Sequence, residues 1–149
     1  MKKNIFYRFF GLGAFPKKLR PALDLEEIVI ADEGLSGWFV TKNVKGLGKR
    51  YINRSEGFSG CLAVTKKRIV CFTYSKCQIN VSVEDPKISH IFVDVSKAET
   101  LSIFFESSVF RDGWTGMIEF RFRTEKAQQF YEALKAIGAQ PASPPSVQE

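Results

Sequence analysis

At 149 residues, with a hydrophobic fraction of 44% and fourteen phenylalanines, the chain has the material for one packed domain, which argues against global disorder. No uninterrupted apolar run approaches the roughly 20 residues that a membrane-spanning helix requires. The formal net charge of +6 points to anionic partners such as lipid headgroups, nucleic acid or acidic proteins, a solvated basic face being the plainer alternative.

The charge is unevenly placed. Lys2, Lys3, Arg8, Lys17, Lys18 and Arg20 give the first twenty residues +6 without an acid, and residues 21–41 hold five acids and no base. Residues 42–76 carry nine bases against Glu56 alone, and the remainder is mildly acidic. Three cysteines, Cys61, Cys71 and Cys77, lack CxxC spacing and read as reduced, buried thiols of a cytoplasmic protein. With His90 as the single histidine, neither a Cys/His zinc site nor another metal or cofactor is expected.

In chain order, residues 1–24 form a basic, aromatic segment. On a helical projection Ile5, Phe6, Phe9, Phe10 and Leu12 share one side. Such a stripe either docks on its own domain or dips Phe6, Phe9 and Phe10 into a membrane interface. Arg8 interrupts any secretory leader, which makes that the weaker reading. Strands are expected at Ile28 to Ala31 and at Gly37 to Val44, where polar and apolar residues alternate. Lys45 to Glu56, KGLGKRYINRSE, reads as a glycine-bearing basic loop that lacks P-loop spacing.

Gly57 to Ser75, GFSGCLAVTKKRIVCFTYS, reads as a hairpin. With Lys66-Lys67 as the turn, Val64 opposes Ile69, Ala63 opposes Val70, and Leu62 opposes Cys71. Both faces are then apolar, so one lines a core and a neighbour covers the other. Cys61 and Cys71 point to opposite faces, which argues against a bond between them. Lysines suit the primed turns of two-residue hairpins poorly, so a longer loop is the alternative.

Further strands are expected over Ile79 to Val83, Ile88 to Val95 and Thr100 to Glu106. Asp112-Gly113 marks a turn. In the final strand Ile118, Phe120 and Phe122 face one way, and Glu119, Arg121 and Arg123 the other. Thr124 then suits an N-cap, Phe130, Tyr131, Leu134 and Ile137 follow helical spacing, and Gly138 suits the C′ position. Residues 139–149 form a proline- and serine-rich tail that is expected to be disordered. The prediction is a mainly β fold, an antiparallel meander of about seven strands capped by one C-terminal amphipathic helix.

Gly60, Leu62, Thr65, Lys67, Arg68 and Ile69 resemble the G-x-L-x-x-T-x-K-R-[IL] pattern of bacterial pleckstrin-homology-like and GRAM domains. Leu25-Glu26-Glu27-Ile28 resembles the acidic lead-in to their first strand, without its usual Pro-Gly. The resemblance covers residues 25–138. It implies a partly open barrel plugged by the helix, and a binding module for inositol lipids, peptides or proteins.

The leading expectation is a non-enzymatic module that binds acidic phospholipid reversibly from the cytoplasm, at the inner face of the membrane. Its candidate anionic contacts are Lys42, Lys45, Lys49, Arg50, Arg54, Lys66, Lys67 and Arg68. The alternative is a protein- or peptide-interaction scaffold that uses a sheet edge or the groove beside Phe130 and Tyr131. Nucleic-acid stacking on Tyr51, Phe58, Phe72 and Tyr74 is a weaker reading, because such aromatics usually belong to a core. An enzyme is not expected, since no nucleophile elbow or carboxylate pair is evident.

Overall fold

The computed structural model describes residues 11–46, 48–51, 53–97 and 99–142, with backbone alone for residues 49–51. Seven long strands carry the fold: β1 (Ile28–Gly46), β3 (Ser55–Thr65), β4 (Arg68–Thr73), β5 (Lys76–Ser82), β6 (Phe92–Lys97), β7 (Thr100–Glu106) and β8 (Trp114–Arg123). They form one curled antiparallel sheet in the order β5-β4-β3-β1-β8-β7-β6. Two short strands complete it. β2 (Lys49–Tyr51) folds back on the end of β1, and β9 (Gln140–Pro141) runs parallel to β6. Helix α1 (Arg20–Leu25) precedes the sheet and helix α2 (Ala127–Ala136) follows β8. The expected helix-capped meander is therefore present.

β1 organises the sheet, because its first part pairs with β3 and its second with β8. Two separate strands were expected here. A bulge joins them instead: Asp32 pairs with Leu62 and Leu35 with Gly60, so Glu33 and Gly34 are absorbed opposite Cys61. Gly34 sits at φ 68, which glycine adopts without steric cost. Such a bulge bends and twists the strand, and so lets one strand serve both halves of a barrel.

The hairpin register is as the sequence predicts, with Val64 opposite Ile69 and Leu62 opposite Cys71. Neither turn lysine has positive φ, so the turn is not of a primed type. Thr65 closes it instead, its Oγ1 accepting the N–H groups of Lys67 and Arg68 at 3.0 Å each. One face of the hairpin, with Leu62, Val64, Ile69 and Cys71, enters the barrel core beside Ile103, Phe120 and Phe122. The other face, with Cys61, Ala63 and Val70, is covered by Phe15 and Leu23 from the N-terminal segment. The two cysteines therefore lie in different apolar layers, while Cys77 is exposed rather than buried.

The segment before β1 is tied down by polar contacts as well. Ser59 Oγ donates to the Leu12 carbonyl at 2.7 Å, and Phe15 N–H donates to Glu33 Oε1 at 3.0 Å. Residues 11–25 thus form a strap across the outer face of β3 and β4. Phe6, Phe9 and Phe10 lie outside the described residues.

α2 plugs the end of the barrel where β1 begins, burying Ala127, Phe130 and Leu134. Thr124 does not cap the helix directly. Its Oγ1 accepts the Lys126 N–H at 3.0 Å and donates to Asp32 Oδ2 at 3.1 Å, fastening the turn before α2 to the β1 bulge. At the other end Gly138 N–H donates to the Lys135 carbonyl and Ala139 N–H to the Leu134 carbonyl. This paired closure places Gly138 at φ 117. The strand expected from Ile88 begins only at Phe92. Pro86–His90 forms a 3-10 helix instead, capped by Asp85, whose side chain accepts the Lys87 N–H at 2.9 Å.

Candidate functional site

The fold divides the basic block of residues 42–76 between the two ends of the barrel. Antiparallel pairing sets Thr65 opposite Ile28 and Ser55 opposite Val40. The Lys66–Arg68 turn therefore lies beside the start of β1, about 33 Å along the strand from Ser55. Lys45 and Arg54 lie at the far end. No single patch collects all the bases expected to act together.

At the turn end the cations already have partners. Arg68 Nη2 lies 2.8 Å from Glu26 Oε2, its Nε donates to Glu26 Oε1 at 3.0 Å, and its Nη1 donates to Asn80 Oδ1 at 3.2 Å. Lys66 Nζ lies 2.8 Å from Glu27 Oε2. Burial pushes the Glu26 carboxyl up, but hydrogen bonds from Arg68 and Thr65 outweigh it, and the net position is below the ordinary value. The hydrogen bond and charge of Lys66 lower Glu27, and Glu27 raises Lys66 in return. Lys67 alone of the three carries no ion pair among the described residues. The acidic lead-in to β1 thus offsets two of the turn's three positive charges.

A different group of cations meets at the opposite end of the barrel. The connections β1–β3, β4–β5 and β7–β8 converge there around a cavity of about 350 Å³. Arg54 comes from the first connection with Glu56 beside it in β3, Tyr74 and Ser75 from the second with Lys76 opening β5, and Arg111 from the third with Trp114 opening β8. Burial separates floor from rim. Val44, Phe58, Ile118, Thr41 and Thr73 are buried, whereas Arg54, Glu56, Tyr74 and Lys76 are exposed. Arg54 is paired with Glu56, and the Arg111 guanidinium lies 5.8 Å from the centre of the Trp114 ring. Tyr74 sits at φ 55, an uncommon conformation for a bulky residue, and the residue is 40% exposed.

Of the expected anionic contacts with described side chains, Arg54 alone lines this cavity, together with Phe58 and Tyr74, which were named for stacking. Lys45 is exposed at the end of β1, where it pairs with Arg50, and Gly46 pairs with Lys49. Lys42 projects from the outer face beside Val40, Phe104, Met117 and Glu119. Lys76, Arg111 and Trp114 were not among the expected contacts. An up-and-down meander places alternate turns at one end, which flags Lys76. Arg111 is harder to find, because the β5–β6 connection crosses the barrel through the 3-10 helix and resets that alternation.

Among the described residues, no three or more His, Cys, Asp or Glu side chains gather into a metal-binding group. No helix among them is long and apolar enough to cross a membrane. Comparison with known protein families and with curated proteins returned no match.

Proposed function

We propose that the protein is a non-enzymatic, pleckstrin-homology-like binding module whose open barrel end meets an anionic ligand, with an acidic phospholipid surface as its partner. The convergence of Arg54, Lys76 and Arg111, in or beside three separate connections, on one cavity carries this reading. The seven-strand meander closed by a terminal helix supports the family resemblance seen in the hairpin. Each base near an acidic surface contributes about 1 kcal/mol, so three give roughly a hundredfold preference, reduced where Glu56 offsets Arg54. That strength suits reversible attachment. On this reading the protein works from the cytoplasm and visits the inner face of the membrane.

One form of the alternative, peptide capture by strand addition to a sheet edge, loses the start of the β6 edge to the chain itself. Gln140 N–H donates to the Ile91 carbonyl at 2.8 Å and Ala142 N–H to the Val93 carbonyl at 2.9 Å, so β9 already occupies β6.

Co-sedimentation with phosphatidylcholine vesicles, with and without phosphatidylglycerol, tests the proposal. Binding should require the acidic lipid, weaken with salt, and fall at least fivefold in Lys76→Glu and in Arg111→Glu. Lys66→Glu and Lys67→Glu should bind as the parent does. Attachment that ignores salt, or survives both rim reversals, would sink the reading.

A further inference from the structure

We infer that the cavity behind the cationic rim takes the apolar body of a small amphipathic anion, whose carboxylate or phosphate rests on Arg54, Lys76 and Arg111. This rests on the reading above for its cationic rim, and gives the cavity behind that rim a ligand distinct from the membrane surface.

The cavity is polar at its mouth and apolar at its base. Val44, Phe58 and Ile118 are 3%, 7% and 5% exposed and form the floor. The two polar side chains among these buried residues are already engaged. Thr41 Oγ1 accepts the Arg54 N–H at 3.1 Å, and Thr73 Oγ1 accepts from Gln78 Nε2 at 2.8 Å. A hydroxyl-rich ring pushed onto this floor would give up water for few new hydrogen bonds. A hydrocarbon or aromatic body gains there, at about 0.8 kcal/mol, or roughly fourfold in affinity, per buried methylene. The volume of about 350 Å³ falls at the small end of small-molecule sites, about 300–1,000 Å³. Tyr74, held at φ 55 on its two-residue turn, places a ring at the mouth where an apolar body would enter. Charge at the rim and hydrocarbon at the floor describe an amphiphile that enters body first. A phospholipid headgroup would enter charge first.

The test uses the full chain in a Trp38→Phe background, so that Trp114 in the cavity wall reports by fluorescence, with calorimetry in parallel. The probes are butanoate, hexanoate, octanoate, phenyl phosphate, inorganic phosphate, inositol trisphosphate and phosphatidylglycerol vesicles. Affinity should rise about fourfold per methylene through octanoate, and phenyl phosphate should bind at least tenfold more tightly than inorganic phosphate. Arg111→Glu should weaken octanoate at least fivefold. Inositol trisphosphate binding as tightly as octanoate, with no dependence on chain length, overturns the inference and leaves the anionic open end standing. Octanoate binding that ignores both Arg111→Glu and Lys76→Glu also overturns it. If small anions and vesicles all fail to bind, the inference and the reading beneath it fall together.

Discussion

Glu26 and Arg68, far apart in the chain, meet as a two-point pair, with Arg68 Nε 3.0 Å from Oε1 and Nη2 2.8 Å from Oε2. Their side chains are only 17% and 21% exposed, so this pair resists solvent screening better than a surface bridge. It fastens the end of the strap to the hairpin turn. Glu26→Gln should lower unfolding free energy by about 1–2 kcal/mol in urea denaturation at pH 7. Because folding lowers the Glu26 pKa, the unfolded chain takes up this proton first as pH falls. The contribution is complete above the ordinary glutamate value of 4.5 and fades below it. The stability difference between parent and Glu26→Gln should therefore shrink on acidification, and a constant difference from pH 7 to 3 would contradict the pairing.

Glu56 is the acid on the cationic rim, where it pairs with Arg54. Removing its charge should raise the local positive potential by about one charge. Glu56→Gln is expected to tighten binding to phosphatidylglycerol vesicles about fivefold at low salt, the gain vanishing near 1 M salt. Unchanged or weaker binding would mean that anions do not approach this rim.

The strap is an integral layer. Leu23 is 0% exposed against Cys61, Ala63 and Val70, so Leu23→Ala should cost about 2–5 kcal/mol. The thiols give a second readout. Burial raises Cys61 to about 12 and pushes Cys71 well above its ordinary value, while exposed Cys77 is raised less. Mass spectrometry after thiol alkylation at pH 8 should find Cys77 alone modified in the parent. Leu23→Ala should add Cys61 before Cys71, because Cys61 faces the strap and Cys71 faces the barrel interior. Simultaneous labelling of both would show that strap and barrel open together.

Gly138 closes α2 at φ 117. A Cβ there is strained by that backbone angle, and it would also stand 3.3 Å from Ile88 Cγ2. Gly138→Ala should cost about 1–2 kcal/mol, seen by calorimetry as a fall in Tm of a few degrees. No change in Tm would mean that the turn relaxes without loss.

Elements set by local patterns were legible in the sequence. The hairpin register followed from apolar residues on both faces around Lys66-Lys67, β8 from the alternation of Ile118, Phe120 and Phe122, and α2 from the spacing of Phe130 and Leu134. Features that depend on distant pairing were not. Glu33 and Gly34 look like a break, yet the bulge carries β1 through them. Lys66-Lys67-Arg68 look like an open cationic site, yet Glu26 and Glu27 are folded against it. The cavity draws on connections that share no sequence pattern, so only Arg54 among its rim bases stood out beforehand.

β9 has a consequence for the company the molecule keeps. Gln140 and Ala142 both turn their N–H groups toward β6, so the residue between them turns its nitrogen outward, and that residue is Pro141. A second molecule seeking to extend the sheet would find no amide hydrogen at that position. The short strand therefore acts as a selvedge along the start of β6, blunting that stretch of the sheet's margin against pairing with a second molecule.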